Sequence, residues 1–215
     1  MQSWKYTWFS IFIPVIVGAV FYRKLNISHR YLYFFILIGF FTELITKYLR
    51  YFTEVKNNMP VGHMYISLSF IFIAIFYLHE LKGYLNQKVI AFIIILFGLF
   101  SILNILFLQS YYDYPSVAGA TSALILVLFS ILLFSKIMNE GKIKHLSQSS
   151  LIWINTAVLI YYSGNFFFYI LFNLILNHSI EFINKTLNFF KILYVIFYFL
   201  LAMGLWKAGT RKQEQ

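Results

Sequence analysis

Cysteine is absent from the 215 residues. That excludes disulfides, thiolate nucleophiles and thiolate-built zinc or iron–sulfur sites, and it leaves the redox compartment open. Acidic side chains are scarce as well. Seven Asp and Glu stand against seventeen Lys and Arg, for a formal charge of +10. Charged residues of both signs make up only 11% of the chain, where a soluble domain carries about 25%. So few cannot coat a soluble surface. Low-complexity tracts and a recognisable internal repeat are also missing. Seven apolar runs cannot be split into two equal halves, which lowers the case for a transporter built from inverted repeats while leaving a three-plus-one-plus-three plan open.

What is abundant is apolar and aromatic: 61% and 22% of the residues. They fall into seven runs, about 6–22, 31–52, 61–81, 89–109, 116–135, 151–176 and 187–206. Each approaches the roughly 20 residues that an α-helix needs to cross the hydrocarbon core. The expected fold is therefore all-α: one polytopic transmembrane bundle of seven spans occupying residues 1–215. Pro60 and Pro115 sit just before or at helix starts, where a missing N–H costs nothing, whereas Pro14 lies inside the first run and predicts a kink. The first run also resembles a signal peptide in position. Arg23 and Lys24 follow it directly and no small-residue cleavage site is evident, so it reads as an uncleaved span.

Lys and Arg set the expected orientation. Eleven of them (Arg23, Lys24, Arg30, Lys82, Lys88, Lys136, Lys142, Lys144, Lys207, Arg211, Lys212) fall on the side of the C-terminus, and six (Lys5, Lys47, Arg50, Lys56, Lys185, Lys191) on the other. The bias places the N-terminus outside and the C-terminus in the cytoplasm of a multi-pass protein of the inner (plasma) membrane. Trp4 and Trp8 would anchor the outer interface, and Trp153 and Trp206 the inner one. Basic loops beside anionic lipid account for the charge without nucleic acid.

Polar residues inside the runs carry any chemistry. Gly39, Glu43, Thr46, Lys47 and Arg50 recur at spacings of three and four on one face of the second span. Glu43 and Lys47 have the (i, i+4) order that favours an ion pair, serving either a pocket or helix register. The sixth span carries Asn155, Tyr162, Asn165, Tyr169 and Asn173; the seventh carries Asn184, Asn188, Lys191 and Tyr198; the third carries His63, Ser67 and Tyr77. Such residues serve as inter-helix glue or line a cavity. Under the expected topology Glu43, Lys47, His63, Asn165 and Lys191 fall in the central or outer bundle, and they form the candidate ligand-binding set. Asp113, among tyrosines, is read as a wet loop or the lip of that site.

Other chemistry finds little support. His79-Glu80 lacks the second histidine of a zincin helix, and His29, His145 and His178 are read as interfacial loop residues. Three Asn-x-Ser/Thr triplets, beginning at Asn26, Asn177 and Asn184, read as chance. Glu43 is read as the one acid deep in a span, so paired-carboxylate catalysis is not expected. Lys191 lies near the start of its span rather than the middle, which disfavours a retinal Schiff base. No cofactor, metal or catalytic set is implied.

The stretch from Trp153 to Tyr169, above all Trp153, Asn155, Tyr162, Ser163, Gly164 and Asn165, resembles the sixth helix of small, uncharacterised seven-helix bacterial membrane proteins of the Bacteroidota. That resemblance covers under a tenth of the chain and implies a receptor-like or accessory role. Richness in Ile, Phe, Lys, Asn and Tyr agrees with a low-GC bacterial source. A weaker similarity to lysoplasmalogenase-type lipid hydrolases founders on an additional span and intramembrane acids not matched here. The leading expectation is a sensor or accessory subunit binding a small or lipidic ligand in its outer half, with the bilayer and a membrane or cytoplasmic signalling protein as partners. The alternatives are a lipid-modifying enzyme using Glu43 or His63, and a small transporter or channel. Apolar stretches 70–76 and 199–201 argue against a wet path through the bundle.

Overall fold

A computed structural model of the chain describes residues 3–54, 57–141 and 146–210. Lys56, Lys142, Lys144, His145, Arg211 and Lys212, and the side chains of Trp4, Lys5 and Asn173, lie outside that description. Among the described residues all extended regular structure is helical. A 3-10 stretch, Ser3–Ile11, leads into α1 (Phe12–Phe21), followed by α2 (Ile27–Phe52), α3 (Met59–Glu80), α4 (Gln87–Leu103, continued as a π-helical turn over Asn104–Leu108), α5 (Ser116–Glu140), α6 (Ser150–Leu176) and α7 (Ile180–Thr210). Seven of these segments are long and apolar enough to cross a membrane.

Local chemistry explains most boundaries. Asn26 caps α2 by accepting from the His29 N–H at 3.0 Å, and Asn86 caps α4 through the Lys88 N–H at 3.0 Å, each satisfying an orphan donor of a first turn. Pro60 stands in the first turn of α3, where proline is tolerated. Gly141 ends α5 at φ +57°, a left-handed cap that a side chain would strain. Pro14 lies inside α1, two residues after the 3-10 stretch gives way to α-helix. Three helices extend beyond their apolar runs. Helix α2 begins at Ile27 rather than 31, α5 continues to Glu140 beyond 135, and α7 begins at Ile180 rather than 187. Polar residues at those ends, such as Glu181, Asn184 and Lys185, dilute hydropathy but not helicity. At 31 residues and 1.5 Å per residue, α7 is about 46 Å long and overshoots the roughly 30 Å hydrocarbon core.

Six helices close into a ring in the order α1, α2, α3, α5, α6, α7, with first and last in contact. Helix α4 packs outside it, against α3 and α5. Phe92, Ile95, Leu99 and Ile102 on α4 are each more than half exposed. Their spacing of three and four makes one apolar stripe suited to lipid. Small residues admit large ones where ring helices meet: a Cβ on Gly119 would lie 2.4 Å from the Tyr169 ring, and one on Gly204 2.4 Å from Ile154. This is the packing expected where lipid offers no hydrophobic drive to helix association. The ring is filled by Phe35, Ile36, Ile73, Phe76, Tyr77, Phe197 and Leu201, all essentially inaccessible. Within this core Tyr77 donates to Asn155 Oδ1 at 2.7 Å, Asn155 Nδ2 to the Ser130 carbonyl at 2.9 Å, and Ser130 Oγ to the Asn155 carbonyl at 3.2 Å. That knot ties α3, α5 and α6 together.

Candidate functional site

Toward the end of the bundle that carries the N-terminus, the core gives way to space. Side chains hold α2 and α7 together up to one level: Phe35 meets Phe197 with ring centroids 6.0 Å apart, and Tyr194 donates to Glu43 at 3.2 Å. Between these, Gly39 leaves room for Tyr198, whose hydroxyl would lie 2.9 Å from a Cβ there. Above Glu43 the helices part around a cavity of about 610 Å³, lined from α2 by Glu43, Lys47, Arg50 and Tyr51, from α6 by Tyr161, Asn165 and Phe168, from α7 by Leu187, Phe190, Lys191 and Tyr194, and by Thr7 and Trp8 of the N-terminal stretch.

Two smaller spaces adjoin it. Arg50 is shared with a compartment of about 350 Å³ between α2, α3 and the α4–α5 loop, which also has Thr42, Thr46, Asn58, Tyr65, Tyr114 and Tyr169 in its wall. Tyr161 and Asn165 are shared with a deep pit of about 20 Å³ against Ser69, Ser122 and Tyr162, room for about one water. Tyr65 and Tyr169 border both the pit and the second compartment. The Tyr65 and Tyr194 hydroxyls both lie against Tyr198. Tyr114, in the loop, stacks on Phe172 at 3.8 Å, and burial pushes its phenol well above the ordinary range.

Of the five residues singled out in the sequence, four line the large cavity: Glu43, Lys47, Asn165 and Lys191. They come from α2 and, far along the sequence, from α6 and α7. Glu43 and Lys47, expected as a pair, turn to other partners. Glu43 accepts from Tyr194, and the Lys47 ammonium sits 4.0 Å from the centre of the Trp8 ring, an attraction of about 0.5–2 kcal/mol depending on solvation. Lys191 donates to Asn188 at 3.2 Å, and Asn165 Nδ2 to the Tyr161 carbonyl at 2.8 Å. His63 lies elsewhere. It is buried under the α4–α5 loop, with Nε2 3.1 Å from the Asp113 carbonyl and its ring against Tyr111, so it fastens a loop. Asp113 itself is exposed in that loop.

A second polar cluster, at the opposite end, was not read from the sequence. His29 is not in a loop: it lies in the first turn of α2 and is 3% exposed. Its Nε2 lies 3.0 Å from Ser150 Oγ on α6, while Ser28 hydrogen-bonds to Glu80 at the end of α3. Lys136 of α5 donates to the Glu80 and Lys82 carbonyls at 2.6 and 2.9 Å, capping α3 with a cation. The signal was present: Asn26-Ile-Ser-His is a helix N-cap sequence, obscured by its likeness to a glycosylation triplet. The tyrosines of the cavity were half seen. Tyr65, Tyr161 and Tyr194 carry no local pattern that separates a pocket wall from an interfacial belt.

No protein-family profile, curated protein or solved structure matches this chain. The cavity's own chemistry therefore carries the functional argument. It offers three cations and one carboxylate, phenol and amide groups below them, and aromatic walls. Among the described residues no group of three His, Cys, Asp or Glu side chains is placed to hold a metal ion.

Proposed function

We propose that this chain is a receptor-like sensor or accessory subunit of the bacterial inner membrane that binds a small or lipidic ligand in the cavity at its outer end. The N-terminus is outside and the C-terminus cytoplasmic in this reading, which follows the excess of Lys and Arg toward the C-terminal end. One observation carries it: a cavity of about 610 Å³, within the usual size of ligand sites, brings Glu43, Lys47, Asn165 and Lys191 together from three helices. Below it the ring is packed solid by Phe35, Phe76, Tyr77 and Phe197, which favours binding at one side over passage. The resemblance of the Trp153–Tyr169 segment to small seven-helix bacterial proteins points the same way.

Binding acts by favouring one arrangement of helices over another. Because α2, α6 and α7 reach from the cavity to the far end, where His29 meets Ser150, a change in their spacing is felt by the loops there, the contact surface for a signalling partner. The test is native mass spectrometry of protein extracted gently from its own membrane. Wild-type protein is expected to retain a small-molecule or lipid mass that the Lys47→Met/Lys191→Met double variant has lost. Equal retention by both, or none by either, removes the basis of the proposal.

A further inference from the structure

The cavity is layered by charge, and the layering identifies its ligand class. Helix α2 rises toward the N-terminal end in the order Glu43, Lys47, Arg50, and α7 descends from that end in the order Leu187, Lys191, Tyr194. The hydrogen bond of Tyr194 to Glu43 sets these two at one depth. Lys47 is then about 6 Å, and Lys191 about 4.5 Å, nearer the surface at 1.5 Å per residue. The two ammonium-bearing residues form one tier, with Arg50 about one turn above. Beneath them lie Glu43 and Tyr194, and deeper still Tyr161, which stacks on Phe197; Asn165 lines the same wall. Three cations facing one carboxylate leave the cavity with a formal excess of two positive charges. Among the described residues neither lysine makes a salt bridge: Lys47 faces the Trp8 ring and feels Glu43 only through space, and Lys191 meets the Asn188 amide. Lys47 and Lys191 are half-buried, and a bound anion offsets the cost of withdrawing their charge from water.

Resting on the binding reading above, we infer that the ligand carries a phosphate monoester, seated between Lys47, Lys191 and Arg50. A monoester bears close to two negative charges near neutral pH, matching the excess. Lysine supplies compact charge and arginine a fork suited to phosphate oxygens. Trp8, Leu187, Phe168 and Phe190 in the same wall accept the carbon skeleton of the ester. The same head group is presented by a lysophosphatidic acid in the membrane and by glycerol 3-phosphate in solution.

The experiment measures binding to the purified protein in nanodiscs of neutral lipid. The ligands are 1-oleoyl-lysophosphatidic acid, glycerol 3-phosphate, 1-oleoyl-lysophosphatidylcholine and monooleoylglycerol. At least one phosphate monoester is expected to bind ten-fold or more tightly than the zwitterionic and neutral compounds. Binding of lysophosphatidic acid alone identifies a lipid source, and equal binding of glycerol 3-phosphate a soluble one. Lys47→Met and Lys191→Met should each weaken it about ten-fold, the scale of one charge-assisted hydrogen bond. Glu43→Gln should strengthen it about three-fold by removing the opposing charge, a gain that damage to the fold does not produce. Equal or tighter binding of the neutral or zwitterionic compounds overturns the phosphate assignment, as does weaker binding to Glu43→Gln. No binding by any of the four overturns it too; retained mass in the native extract then decides whether the cavity binds something else.

Discussion

Tyr77 shows what a single hydroxyl does in this core. Its phenol is the donor that satisfies Asn155 Oδ1, and both residues are fully buried. Tyr77→Phe keeps the ring among Phe76 and Phe129 but orphans the amide oxygen. In water-soluble cores an unpaired group costs about 1–3 kcal/mol. Between membrane helices the measured average is nearer 0.6, because the dissociated state finds other partners. Unfolding by SDS titration in mixed micelles should therefore show a loss of about 1 kcal/mol, with Tyr77→Leu losing more through packing. Spacing along one helix identified Glu43 and Lys47 as neighbours. It did not identify their partners, because Tyr194 and Trp8 arrive from α7 and the N-terminal stretch.

Among elements, the glycines separate packed faces from free ones. A Cβ on Gly204 of α7 would lie 2.4 Å from Ile154 and 3.3 Å from the Ser150 carbonyl on α6, while one on Gly98 of α4 meets nothing within 4 Å. Gly204→Ala is expected to force α6 and α7 apart and cost about 1–3 kcal/mol, as overpacking does. Gly98→Ala should be neutral or gain up to about 1 kcal/mol from helix propensity. Thermal denaturation of the two variants in one detergent checks the pair; equal midpoints would contradict the assignment of faces. Element existence was legible because crossing hydrocarbon demands a long apolar run with every backbone group satisfied internally. Helix ends were less so: at Ile27 and Ile180 polar side chains continue the helix beyond the apolar stretch.

At the scale of the whole molecule, absence of cysteine makes orientation easy to measure. Ser110 and Ser179 are exposed in the loops near the N-terminal end, and Gln148 is exposed at the opposite end. In intact cells or spheroplasts, a membrane-impermeant maleimide should label Ser110→Cys and Ser179→Cys, and label Gln148→Cys only after permeabilisation. The reverse pattern would invert the topology and place the cavity at the cytoplasmic face. Trp153, bonded to the Ser147 carbonyl at 2.9 Å, and Trp206, 42% exposed with Lys207 above its ring, lie near that opposite end.

Seven spans, the caps at Asn26 and Asn86 and the uneven distribution of basic residues are local properties, so the amino-acid sequence determines them without reference to any neighbour. Which polar residues meet is not local. Closure of α1 onto α7, with α4 left outside, brings Lys47 and Lys191 into one wall and turns His63 away to the α4–α5 loop. The same closure buries His29 beside Ser150. Helical periodicity states which side chains share a face; only the packing of six helices around a common interior decides what that face looks into.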